Sequence, residues 1–270
     1  MFDILFGMMF YTEPVPSSSP RHPPGRAASG SASGAALPSQ PRRPARRPGG
    51  PGRRSVLSTD AIVAAAIEVL DQEGVVGLSM RRVAEHLGTG AASLYAHVSS
   101  KDELMELVFD ELVGRVPLPV PDPDRWQEQV HQMLGDLRTE LTSHRDAALA
   151  GLGRVPTSPK TLAAGEVLVA VLRAGGLSNR VIALGFDQLI LYVCACAFEA
   201  SLFEFGAMDQ EAIDRYFADV HAFFGALPAE RFPVLASIAP DLTGFDAEDR
   251  FAFGVDVFIA GLTAVSAREG

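Results

Sequence analysis

Between positions 81 and 101 the chain gathers two adjacent guanidinium groups (Arg81, Arg82), a hydroxyl (Ser93), a phenol (Tyr95), an imidazole (His97) and an ammonium (Lys101). A guanidinium forks onto the edge of guanine, and a serine hydroxyl donates to or accepts from several bases. Short side chains such as Ala91 and Ala92 leave room for methyl contact with thymine. A tyrosine hydroxyl, and an ammonium beside a helix N-terminus, suit phosphate oxygens. The chemistry on offer is recognition of nucleic acid rather than bond making. Elsewhere no nucleophile stands beside a base, no His/Asp/Glu cluster has metal-ligand spacing, and no glycine-rich phosphate loop occurs. No cofactor and no enzymatic activity are implied.

These side chains need a rigid mount, and the stretch from Leu78 to Val98, LSMRRVAEHLGTGAASLYAHV, supplies its pattern. Val83, Ala84 and Leu87 fall on one face of a first helix, and Leu94 and Val98 on one face of a second. Ala84 is small where the helices must cross, and Gly88 stands at the sharp turn between them, so the pair reads as a helix-turn-helix. Structural alternatives run beside this reading. Arg82 can pair with Glu85 or Glu103 on a solvated face, the Tyr95 ring can be partly core, and His97 can be an ordinary surface residue. His86 is expected to be structural or solvated.

Charge is not spread evenly along the chain. The formal net charge of −10 divides into +6 for residues 1–57, −4 for 58–104 and −12 for the remainder, so the acidity lies mainly away from the reader. The opening run MFDILFGMMF lacks a basic flank and a small-residue cleavage site, and is not read as a signal peptide. From Thr12 to Gly52 the Pro-, Ser-, Gly- and Arg-rich composition cannot repay ordering, which predicts a disordered, solvating arm over 1–57.

Ser58 is expected to cap a helix with a stripe of Ile62, Val63, Ala66, Ile67 and Leu70 that ends at Gly74. Ser100 with Glu103 forms a capping box for a connector helix from Lys101 through Leu112. After the prolines at 117, 119, 121 and 123, Asp124 is expected to cap the next helix. Ser158-Pro159, Ser178, Asp209 and Asp246 open four more, and Leu227 to Gly244 reads as irregular with at most one helical turn. No strand shows convincing alternation. The fold class is all-α: an N-terminal three-helix bundle over 58–104 that carries the helix-turn-helix, then a larger helical domain over 105–270.

The segment LSMRRVAEHLGTGAASLYAHVSSKDELMELV resembles the reader and connector of the TetR family of bacterial repressors. WQEQVHQMLGDLRTELTSH and DRFAFGVDVFIAGL resemble, more weakly, the tetracycline-repressor-type C-terminal domain. The resemblance implies that Arg81, Ala91, Ala92 and Ser93 lie at or near base edges and that Tyr95, His97 and Lys101 lie near phosphates; Arg82 is carried as a further candidate. It implies a cytoplasmic homodimer on a palindromic double-stranded operator, released by a small-molecule inducer. Ala91 and Ala92 depart from the bulkier or amide side chains common in the family, shifting readout toward Ser93, Arg81 and DNA shape.

The runs from Ser178 to Phe205 and Asp246 to Ala267 are apolar around most of their circumference and need a second partner surface. A four-helix dimer interface satisfies them, with Gly185, Gly254 and Gly261 allowing close approach. Asp187 and Gln188 argue against a membrane span. An inducer cavity is expected behind the connector, with Met105, Phe109, Trp126, Met133 and Leu137 as apolar lining and Gln188 and Tyr192 as polar anchors; plain core packing is the alternative for each. Cys194 and Cys196 read as reduced core residues. The competing readings are an all-α small-molecule-binding protein or enzyme, and an adaptor whose helix-turn-helix does not bind DNA.

Overall fold

The computed structural model describes residues 57–152, 157–206 and 209–269. The arm expected over 1–57, Leu57 apart, lies outside the described residues, as does most of the GLGRVP loop at 151–156. Among the described residues all regular structure is helical, as the pattern predicts. The helices are α1 (Thr59–Gly77), α2 (Met80–His86), α3 (Ala91–Leu94), α4 (Lys101–Val113), α5 (Trp126–Thr142), α6 (Pro159–Ala174), α7 (Asn179–Glu204), α8 (Gln210–Gly225), α9 (Pro233–Thr243) and α10 (Ala247–Glu269), with a 3₁₀ turn at Ala147–Ala150.

Hydroxyl and carboxylate caps set most of the helix starts. Ser58, Ser79 and Ser100 accept from the amides of Ala61, Arg82 and Glu103 at 3.2, 3.2 and 3.1 Å. The reciprocal half of the expected capping box is displaced by one residue: the Glu103 carboxylate takes the amide of Ser99 at 2.7 Å, and its hydroxyl too. The Ser99 hydroxyl, and then its amide, hold the Glu103 carboxyl below the usual carboxylate range. At α5 the start differs. Arg125, not Asp124, is the first flanking residue, and Gln129 secures the preceding loop by accepting from the Asp122 amide and donating to the Val120 carbonyl. The α6 N-terminus is held from outside, since Asp110 of α4 accepts from the Thr161 amide at 2.8 Å and from its hydroxyl at 2.9 Å.

One expectation is corrected in the segment 227–244, where α9 forms eleven helical residues. Pro233 occupies the first turn, where a missing N–H costs nothing, and Pro240 falls near the end. Pro233 thus stands where a helix tolerates it, whereas Pro240 lies inside the helix and gives up one backbone N–H bond. Helices α8 and α9 pack on each other.

In the N-terminal bundle α1 packs against α2 and α4, and α2 against α3; in the body α5 lies along α7, α6 against α4, α5 and α7, and α10 across α7. A single apolar cluster runs from Ile62 to Ile259 through both parts. The crossing of α7 and α10 explains two glycines differently from the sequence reading. A Cβ on Gly185 would stand 2.6 Å from Leu262, and one on Gly254 1.9 Å from the Tyr192 hydroxyl, so both serve contacts inside the chain; around Gly261 the space is open. Exposed apolar side chains remain on α7 (Leu184, Leu191) and α10 (Phe253, Val257, Val265). Both helices are long and apolar enough to cross a membrane by length and composition. Their buried sides nonetheless belong to the common core. Cys194 is buried and Cys196 half-buried, and burial pushes the Cys194 thiol up to about 12.

Gly254→Ala should therefore destabilise the protein by about 1–3 kcal/mol through overpacking against Tyr192. Gly135→Ala, in α5 and facing open space, should stabilise it by up to about 1 kcal/mol. Urea unfolding midpoints with unchanged slope check both.

Candidate functional site

The helix-turn-helix is built from a buried seam and an exposed rim. Val83, Ala84, Leu94 and Val98 are buried, and Leu87 is half-buried against the same cluster. Gly88 turns the chain at φ 65°, a left-handed conformation that a side chain disfavours. The Thr89 amide closes the corner on the Ala84 carbonyl at 2.9 Å. Helix α3 is a single turn, and with Leu94 inside, Ala92, Ser93, Tyr95 and His97 face out. Ala91 is half-buried against the core, which leaves Ala92 and Ser93 as the more exposed pair on this turn.

The cations of the reader are not equally available. Arg81 is fully solvated, its side chain 86% exposed, and bonds Glu85 at 2.9 Å. Arg82 is clamped by Glu73, with Nε at 2.6 Å, and approaches Glu85 at 3.6 Å. These carboxylates raise both guanidinium pKa values, while Arg81 lowers that of Glu85. Sequence reasoning points to Glu85 as a partner for Arg82 but not to Glu73, because that pair bridges α1 and α2. His86 bonds Glu68 at 2.8 Å, in keeping with a structural role. Lys101 differs: its ammonium donates to a neutral acceptor, the Val75 carbonyl, at 2.6 Å, so that bond spends none of its charge on a carboxylate.

A second feature lies in the body. A cavity of about 100 Å³ opens between α4, α5, α6 and α7, and Phe109, Met133 and Leu137 line it as expected from the sequence. Gly151 and Gly165 give it flat walls, since a Cβ at either would meet Phe109 at 2.7 Å or Phe186 at 3.3 Å. The other four residues expected there stand elsewhere. Met105 is buried in the core, and the Trp126 indole covers Gly175, where a Cβ would fall 2.4 Å from the ring. Gln188 is exposed beside Asp187. Tyr192 is already occupied, donating to the carbonyls of Arg250 and Phe251 and stacking on the Phe251 ring at 5.6 Å. Burial keeps its phenol proton bound well above the usual range. Phe186, Asp187 and Ile190 line the cavity instead. The sequence marks the right helix, but the wrong phase of it: Phe186 and Ile190, four residues apart, share the inward face, whereas Tyr192 points toward α10. Among the described residues no cluster of His, Cys, Asp or Glu is arranged to hold a metal.

A buried helix-turn-helix seam with an exposed polar rim, joined by one helix to a cavity-bearing body, defines a DNA-binding regulator with a sensing domain. Comparison with known proteins gives the class its family. Residues 62–108 match the profile described as "Bacterial regulatory proteins, tetR family", and residues 118–266 that described as "Tetracyclin repressor-like, C-terminal domain". The chain belongs to the TetR family and is a DNA-binding transcriptional regulator of the repressor type. An HTH-type transcriptional regulator of Saccharopolyspora erythraea is 32% identical over 80% of this chain and 89% of its own length. The HTH-type transcriptional repressor DrrR1 of Streptomyces coeruleorubidus is 31% identical over 84% and 83%. Among solved structures, Streptomyces coelicolor ActR in complex with actinorhodin is 39% identical, covering 80% of this chain and all of its own, with a TM-score of 0.73.

Gly165→Leu should place a side chain against Phe186 and fill the cavity. Uptake of an apolar fluorescent dye by the body should fall about tenfold or more. Helicity by circular dichroism should be unchanged.

Proposed function

We propose that this protein represses transcription as a cytoplasmic homodimer on a palindromic operator and is released by an apolar small molecule that enters the body cavity. It acts as a regulator and not as an enzyme. The single observation that carries the reading is that α4 belongs to both parts: Ser100 caps it at the reader, and its Phe109 and Val113 line the cavity. Residues 58–104 are the reader and 105–270 the sensing and dimerising domain. Ala92, Ser93 and Arg81 lie near base edges, with Ala91 supporting the turn from below; Tyr95, His97 and Lys101 lie near phosphates. Arg82 acts mainly through its clamp to Glu73, holding α1 to α2.

The effector is mostly apolar, because the lining is, and it is admitted by movement of Phe109, Met133 and Phe186, since about 100 Å³ is less than a drug-sized molecule needs. ActR, described in complex with actinorhodin, supports a sensing role for such a body. The apolar faces left on α7 and α10, with Gly261 in open space, support dimerisation through these helices. The rival adaptor reading leaves Ser93, Tyr95, His97 and Lys101 together on one rim without a purpose.

Two outcomes follow. Lys101→Ala should weaken binding to all duplexes alike and reduce the slope of log affinity against log salt by about 0.9 for each phosphate that is no longer neutralised. Anisotropy titrations on a duplex selected by the protein from a random pool check this, and an unchanged slope removes Lys101 from the phosphate set. For the effector, an occupied state favoured by about 3 kcal/mol would lower operator affinity on the order of a hundredfold, and the operator must weaken the effector equally. Equal effector affinity with and without DNA would leave this domain as a dimerisation unit alone.

A further inference from the structure

The bundle meets the body at a second place besides α4, and the contact there is polar and specific. Gly74 interrupts α1 at φ 69° and ψ 179°, a left-handed conformation. A Cβ on it would stand 2.7 Å from the Asp146 carboxylate and 2.9 Å from Arg145 Nε. The position admits glycine on both counts. Immediately after it, the Val75 amide donates to Asp146 Oδ2 at 2.9 Å. Asp146 is itself the one described non-glycine residue with positive φ, at 56°. Three residues before Gly74, Asp71 accepts from the Arg145 amide at 3.1 Å and from His144 Nδ1 at 3.0 Å. The other end of the Val75 residue points into the reader, where its carbonyl takes the Lys101 ammonium at 2.6 Å.

Val75 is thus fastened through its N–H to the body and through its C=O to the reader cation at the N-terminal end of α4. We propose that Asp146 is a positioning residue for Lys101: by holding the Val75 amide it aims the Val75 carbonyl, and that carbonyl sets where the ammonium stands relative to a DNA phosphate. The inference rests on the reading of Lys101 as a phosphate contact. It also gives the cavity a route to the DNA surface that bypasses the length of α4. The 3₁₀ turn begins at Ala147, directly after Asp146, and ends against Gly151, whose missing Cβ leaves room for the Phe109 ring. An occupant that displaces Phe109 presses on this turn, and the turn carries Asp146.

The test uses the full chain and a duplex that the wild-type protein selects from a random pool, titrated by anisotropy between about 50 and about 250 mM salt, where counterion release dominates. Asp146→Gly deletes the carboxylate at a left-handed position that glycine accepts without strain. It should weaken binding about as much as Lys101→Ala, roughly tenfold, and lower the salt slope by a similar amount. The double variant should bind no more weakly than Lys101→Ala alone, the signature of two residues acting through one contact. Asp146→Asn, which keeps an acceptor oxygen and tolerates the backbone, should restore near-wild-type binding. Val75→Pro, which removes the N–H directly after the break at Gly74 and replaces a half-buried side chain, should reproduce Asp146→Gly and serves in its place if that variant folds poorly. Additive losses in the double variant would overturn the proposal, as would wild-type binding by both Asp146→Gly and Val75→Pro where Lys101→Ala binds weakly. If Lys101→Ala itself leaves affinity and slope unchanged, the phosphate reading of Lys101 is wrong and the proposal falls with it.

Discussion

Helix α4 buries Leu104, Met105, Val108, Phe109 and Leu112 in a core that serves the reader at one end and the body at the other. Thirteen residues cannot bend or slide within close-packed surroundings without moving both neighbourhoods, because interiors at this density have no slack to absorb a displacement. Asp110 tightens the arrangement from the middle of α4. It is buried and supplies the cap for α6, so the helix that walls the cavity is tied to the helix that connects to the reader. The remaining architecture follows from that continuity: α5 and α7 back the cavity, and α10 supports α7 through the seat that Gly254 makes for Tyr192.

Electrostatics in the reader explain how a chain with a net charge of −10 can meet DNA. Glu73 and Glu85 pair with Arg82 and Arg81, and Glu68 hydrogen-bonds His86. Such exposed pairs contribute little stability, but they fix side-chain positions. Lys101 is the reader cation bonded to a neutral acceptor, which makes its placement matter.

Much of this is legible in the residues themselves. The stripes of Val83, Ala84, Leu94 and Val98, the serine caps and the turn at Gly88 are local signals, and local signals survive folding where packing agrees with them. Phe109, Met133 and Leu137 can be found because they stand on the inward faces of long, clearly periodic helices. Helix α7 hides its phase, since it is apolar around most of its circumference and its periodicity does not distinguish the Phe186 face from the Tyr192 face. Helix α9 escapes the pattern because its two prolines look like breaks. The bonds from Arg82 to Glu73 and from Val75 to Asp146 join residues 9 and 71 positions apart across different elements, and no spacing in the sequence marks them.

The central claim is that cavity occupancy moves the readers as rigid units. Spin labels at Ala64→Cys, an exposed position on α1 apart from the DNA-facing rim, in both copies of the proposed dimer report their separation by electron-electron resonance, with the half-buried Cys196 replaced by serine and Cys194 left buried. The distance should form one narrow distribution on a selected operator duplex, with the two readers about 34–36 Å apart, centre to centre, as adjacent major grooves require. It should shift as a single population when a compound shown to occupy the cavity is added. A distribution that stays unchanged while the compound releases the DNA would contradict the account.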